Sequence, residues 1–218
     1  MECKGTTLMF TEKSLTRFLD ELASNSPAPG GGSVAAFSGA LGSALTSMVC
    51  HLTIGKKKYA EVDGEMKNVL AKSEELRQQF VDLVDEDTLA FNKVMEAYGL
   101  PKETSDQKVL RSVAIQESTK EAALVPLSVM KHVVDALALA KVVAEKGNAN
   151  SASDAGVSAL MLHAAAEGAA LNVQINLGSI IDSEFTGWHG EEVSSILRTC
   201  KRMSEDVLHL VQQRMNPS

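Results

Sequence analysis

From Ser33 to Gly55 the chain carries no Asp, Glu, Lys or Arg, and its small residues fall four apart. Ala35, Gly39, Ser43 and Ser47 share one helical face, with Ala36, Ala40 and Ala44 beside them. A segment this long without charge belongs away from water, and small side chains let a second helix approach its backbone closely. A membrane span flanked by Lys56-Lys57-Lys58 fits the same outline. The content argues otherwise: Ser33, Ser38, Ser43, Thr46, Ser47, His51 and Thr53 interrupt the stretch. Too few large apolar side chains remain to favour insertion. The segment reads as a core helix, and its small-residue face as a site of tight bundle packing or of a subunit contact.

The rest of the chain repeats the helical period, and alternation with period two is scarce. Leu15, Phe18, Leu19 and Leu22 make a first stripe, broken by Pro27-Ala28-Pro29-Gly30-Gly31-Gly32. Ser33 is the expected cap of the next helix. A long helix is predicted from about Glu61 to Tyr98, closed by Leu100-Pro101, with a new start at Thr104 or Ser105. Pro126 is expected to begin or kink another helix, because its ring disrupts a helix interior. Gly147 ends that one, and Ser151 or Ser153 can cap a helix running to Leu177. Val193, Ile196, Leu197, Cys200, Met203, Val207 and Val211 mark the last. The expectation is an all-α single domain over residues 1–218, a bundle of about seven to eight helices.

Composition narrows the partners. The net charge of −7 disfavours phosphate backbones and anionic lipid surfaces. Cys3, Cys50 and Cys200 are odd in number and widely spaced, so no disulfide framework is expected and a reducing, cytoplasmic compartment is the simpler reading. Met1 to Phe10 lacks an apolar core of signal-peptide length.

Four features carry potential chemistry. The Gly30-Gly31-Gly32-Ser33 turn opens a helix, where exposed N–H groups and the helix dipole favour an anion; a plain interhelical turn fits equally. Lys56-Lys57-Lys58 can hold a carboxylate-rich ligand or merely suit the negative end of a helix. Asp87 lies on the apolar stripe of its helix with Phe80, Leu83, Val84, Phe91 and Val94. A carboxyl there is desolvated and its proton affinity raised, the property of a general acid or base and also of a structural pair. Asp82, Asp85 and Glu86 fall off the stripe and read as solvated. Asn172 and Asn176, one turn apart, can bind a heterocycle or tie two helices together, and Asp154 suits the first turn of its helix without any function. The five histidines have no metal-ligand spacing, so no metal site is expected.

Taken in order, these segments resemble one family. Pro29-Gly30-Gly31-Gly32-Ser33-Val34-Ala35-Ala36, Gly55-Lys56-Lys57-Lys58-Tyr59, Asp85-Glu86-Asp87-Thr88-Leu89-Ala90-Phe91, Ala97-Tyr98-Gly99-Leu100-Pro101, Gly147-Asn148, Ser153-Asp154 and Asn172-Val173-Gln174-Ile175-Asn176 are similar to the cyclodeaminase domain of formiminotransferase-cyclodeaminase and its stand-alone relatives. The resemblance implies an all-helical homodimer with a folate site near the subunit interface, and no cofactor beyond the tetrahydrofolate substrate. It implies Asp87 as the catalytic group. It implies Pro29, Gly30, Gly31, Gly32, Ser33, Lys57, Lys58, Asn148, Asp154, Asn172 and Asn176 as substrate-binding, the lysines toward a glutamate or polyglutamate tail. Two reactions fit, cyclodeamination of 5-formimidoyltetrahydrofolate with loss of ammonia, placed first, and the methenyltetrahydrofolate cyclohydrolase reaction. Both pass through a tetrahedral carbon bridging N5 and N10. A folate-binding relative without catalysis and a helical interaction module are the rival classes.

Overall fold

The structure, a computed structural model, describes Thr11 and residues 14–216. Its α-helices are α1 (Leu15–Leu22), α2 (Gly31–His51), α3 (Asp63–Tyr98), α4 (Ser105–Lys146), α5 (Ala152–Leu177) and α6 (Ser183–Met215). Short 3-10 turns at Lys57–Val62 and Ala149–Ser151 lead into α3 and α5. Among the described residues there are therefore six α-helices where seven to eight were expected.

The difference lies at Pro126. It does not begin a helix; α4 runs straight through it. Proline has no N–H, so the carbonyl one turn back, on Ala122, loses its partner. Asn176 of α5 supplies one, its Nδ2 donating to Ala122 O at 3.1 Å. The start of α4 follows expectation. Thr104 and Gln107 form a reciprocal capping box, with Gln107 N–H donating to Thr104 Oγ1 at 3.2 Å and Thr104 N–H to Gln107 Oε1 at 3.0 Å.

Helices α2 to α6 pack as neighbours in chain order, α4 lies against all four others, and α2 lies against α3, α4 and α5. Its small residues explain how. A Cβ added at Gly39 would come within 2.6 Å of the Phe80 ring on α3, and one at Gly42 within 2.6 Å of Leu162 Cγ on α5. The small-residue face is thus consumed inside the chain, which removes it as a subunit contact. The opposite face of α2 presents Val34, Leu41 and Met48 to solvent, seven residues apart. Two hydroxyls facing α2 find its backbone, Ser73 Oγ donating to Ser43 O at 2.8 Å and Ser158 Oγ to Gly42 O at 2.7 Å. By length and composition α2 and α4 are long and apolar enough to cross a membrane; in the structure most of the α2 window is covered by the bundle.

Helix α1 differs from its stripe. Only Phe18 is buried, its ring 5.6 Å from that of Phe37, while Leu15 and Leu19 face solvent.

Candidate functional site

The residue capping α2 at its N-terminus is Gly30, which has no side chain, and Ser33 lies inside the helix at its third position rather than capping it. The first N–H groups of a helix need partners, and α3 provides one. Ser33 Oγ donates to Asp87 Oδ2 at 2.8 Å, and the Ser33 backbone N–H is directed at the same carboxyl. Thr88 Oγ1 lies 3.5 Å from Ser33 Oγ. The glycine before Ser33 makes this possible. A Cβ on Gly32 would sit inside the carboxyl group, 2.6 Å from Asp87 Cγ, whereas one on Gly30 would meet nothing within 4 Å.

Asp87 is half-buried. Burial pushes its carboxyl above the usual range, and the two Ser33 hydrogen bonds pull the other way without cancelling the rise. A desolvated carboxyl at a helix N-terminus, held by one hydroxyl and one N–H, is a group able to take and return a proton. Asn172 of α5 closes the same corner. Its Nδ2 lies 3.3 Å from where a Cβ of Gly31 would stand and donates to Gly168 O at 2.8 Å. Asn176 is a helix tie, its Nδ2 shared between Ala122 O and Asn172 O. Pro29 is buried beside the turn.

Asp85 corrects the sequence reading. It is not solvated but 7% exposed, and Thr11 Oγ1 donates to its Oδ2 at 2.6 Å. Thr11 and Asp85 are 74 positions apart, a contact that the helical stripe does not encode. Asp82 and Glu86 are exposed as expected.

The other expected site residues lie elsewhere. Helix α2 has 21 residues, so its two ends are about 30 Å apart. Lys57 and Lys58 lie past its C-terminal end, both exposed, with Lys58 Nζ 5.5 Å from the centroid of the Tyr59 ring. Tyr59 Oη accepts from Ala149 N–H at 3.0 Å and donates to Asn148 Oδ1 at 3.4 Å. The Ala149 N–H, with smaller help from the charges of Lys58 and Arg214, draws the phenol below its ordinary range. Asn148 is 6% exposed and engaged within the chain, its Nδ2 on Leu52 O at 2.9 Å and its N–H on Thr53 Oγ1 at 2.8 Å. Arg214 donates to Ala144 O and Gly147 O at 2.9 and 2.7 Å, filling carbonyls at the end of α4. Asp154 is half-buried in the first turn of α5. Sequence reasoning missed Tyr59 and Arg214 as members of this corner. For Tyr59 the signal was its place in the Lys-Lys-Lys-Tyr run; for Arg214 there was none. The groove of 460 Å³ between α3 and α4, lined by Lys72, Glu75, His132 and Asp135, contains none of the expected residues.

The expected residues therefore form two groups. Pro29 to Ser33, Asp87, Asn172 and Asn176 gather at the start of α2. Lys57, Lys58, Asn148 and Asp154 gather at its end.

A family model described as formiminotransferase-cyclodeaminase matches residues 14–195. A methenyltetrahydrofolate cyclohydrolase of Methylorubrum extorquens is 45% identical over 95% of this chain and 100% of its own length. The formimidoyltransferase-cyclodeaminase of Gallus gallus is 38% identical over 93% of this chain, which spans only 37% of that longer protein. A crystal structure of formiminotetrahydrofolate cyclodeaminase from Thermotoga maritima has a TM-score of 0.84 at 34% identity, over 94% of this chain and 98% of that one.

Proposed function

The chain belongs to the formiminotransferase-cyclodeaminase family, and from that premise we propose that this folate one-carbon enzyme is a methenyltetrahydrofolate cyclohydrolase. The resemblance read from the sequence places cyclodeamination first, although spacing selects no leaving group; the order is reversed because a relative 45% identical over 95% of this chain carries the cyclohydrolase name. Cyclodeamination stays as the second reading, supported by the single-domain Thermotoga maritima protein of that name.

The observation that carries the proposal is the Asp87 carboxyl, desolvated and held by Ser33 at the start of α2. In its ionised form it takes a proton from the water that attacks the methenyl carbon. The resulting tetrahedral carbon keeps both N5 and N10. A proton is returned to N5 as the C–N5 bond breaks, and the hydroxyl oxygen gives up its own proton to solvent as it becomes the carbonyl of the 10-formyl product. With 5-formimidoyltetrahydrofolate the same group takes the N10 proton and returns it to departing ammonia.

The substrate tail is assigned to Lys57 and Lys58. A monoglutamyl tetrahydrofolate is shorter than α2, so one chain does not bring its own lysines to its own Asp87. Two copies packed antiparallel do. Helix α3 continues 11 residues beyond Asp87, about 16 Å, and the hairpin it forms with α4 exposes Met95, Tyr98, Leu100, Val109, Leu110 and Val113. An apolar arm of this kind suits a second copy. Loss of methenyltetrahydrofolate absorbance on adding the protein, with no ammonia released from 5-formimidoyltetrahydrofolate, is the expected result. Ammonia release with an inert methenyl substrate reverses the order, and inactivity on both overturns the enzyme reading.

A further inference from the structure

Ser33, which the resemblance implies as substrate-binding, is 0% exposed, and its hydroxyl is turned to α3. Its hydroxyl reaches Asp87 Oδ2 at 2.8 Å and lies 3.5 Å from the hydroxyl of the adjacent Thr88. We propose that Ser33 is a positioning residue, whose hydroxyl holds the Asp87 carboxyl in one orientation and favours its ionised form. The inference rests on Asp87 being the proton-transfer group and adds how that group is tuned. A hydroxyl donor stabilises a carboxylate more than a neutral acid. Without it, the buried carboxyl keeps only the backbone N–H against desolvation. Other groups near Asp87 do not replace it. From α2 and α5 the neighbours are the neutral Ser33 and, against the adjoining Gly31, the neutral Asn172. Along α3 the adjacent ionisable groups, Asp85 and Glu86, are acids. Gly32 sets the distance, because any Cβ there displaces the carboxyl from Ser33.

The test is a carbon-13 titration of the Asp87 carboxyl in the full-length protein, its resonance identified by its loss in Asp87→Asn. Ser33→Ala is expected to raise the midpoint by about one to two pH units. Ser33→Cys, a weak donor of similar size, falls between. The limb of the kcat/KM profile that follows Asp87 moves upward by the same amount, while circular dichroism shows an unchanged fold. If Ser33→Ala does not fold, Ser33→Cys is read by the same titration. An unmoved midpoint overturns the proposal. A moved midpoint with an unmoved limb leaves Ser33 in its role and sinks Asp87 as the proton-transfer group instead.

Discussion

The two ends of α2 are built from opposite materials. At its start, a run of glycines lets a carboxyl come against bare backbone, and the carboxyl is desolvated. At its end, three lysines stand in solvent beside a corner whose amide and phenol are bonded to each other and whose guanidinium fills backbone carbonyls. The first arrangement changes proton affinity, which chemistry needs. The second offers charge without strain or desolvation, which suits recognition. The contrast predicts that damage at the start lowers kcat and damage at the end raises KM.

The largest effect is expected from Asp87→Asn. Turnover should fall by roughly two to four orders of magnitude, the range for a lost general acid or base, with KM changed far less. A large rise in KM with kcat preserved contradicts the assignment. Asp85→Asn is a poor neutral control, because Asp85 is buried and bonded to Thr11. Asp82→Asn, on an exposed position, serves better and should leave turnover unchanged.

Gly32→Ala comes next. The added Cβ displaces the Asp87 carboxyl, at a cost of about 1–3 kcal/mol in stability and with a loss of kcat. Gly30→Ala meets open space and should be nearly silent. Equal melting temperatures and equal turnover for the two variants would show that the carboxyl does not depend on the close approach.

Lys57→Ala with Lys58→Ala should raise KM several-fold, more for polyglutamylated than monoglutamylated substrate, and the effect should shrink with added salt. Kinetics at two salt concentrations check it, and a fall in kcat at saturating substrate counts against a purely recognising role.

The smallest effect concerns stability against pH. The folded Asp87 carboxyl titrates above its unfolded value of about 3.9. The folded state therefore holds that proton longer, so this group's contribution falls as pH rises from the unfolded pKa through the raised folded one, then stays level. Asp87→Asn should remove that slope from a series of urea melts, and a slope that persists assigns it to other groups.

Much of this was legible in the sequence. The breakers at Pro27 to Gly30, Pro101 and Gly147 lie between real helices, because local backbone chemistry decides such ends, although Gly31 and Gly32 join α2. The position of Asp87 on an apolar stripe foretold its desolvation. Pro126 misled because its repair comes from Asn176, 50 residues on, and periodicity carries no information about such a partner. Asp85 misled for the same reason, its cover coming from Thr11. The face of α2 that meets neighbours was readable as small; that those neighbours are Phe80 and Leu162 of the same chain was not.

The central claim is that the two ends of α2 serve one site shared between two chains. Mixing Asp87→Asn protein with Lys57→Ala, Lys58→Ala protein, after dissociation and reassembly, tests it directly. Each mixed dimer then holds one intact pair of Asp87 and lysines and one doubly damaged pair. The account predicts activity of wild-type KM that neither variant shows alone, rising to about a quarter of the wild-type rate for a random one-to-one mixture, in which half of the dimers are mixed. A mixture that gives only the sum of its two components, each with its own KM, would contradict it.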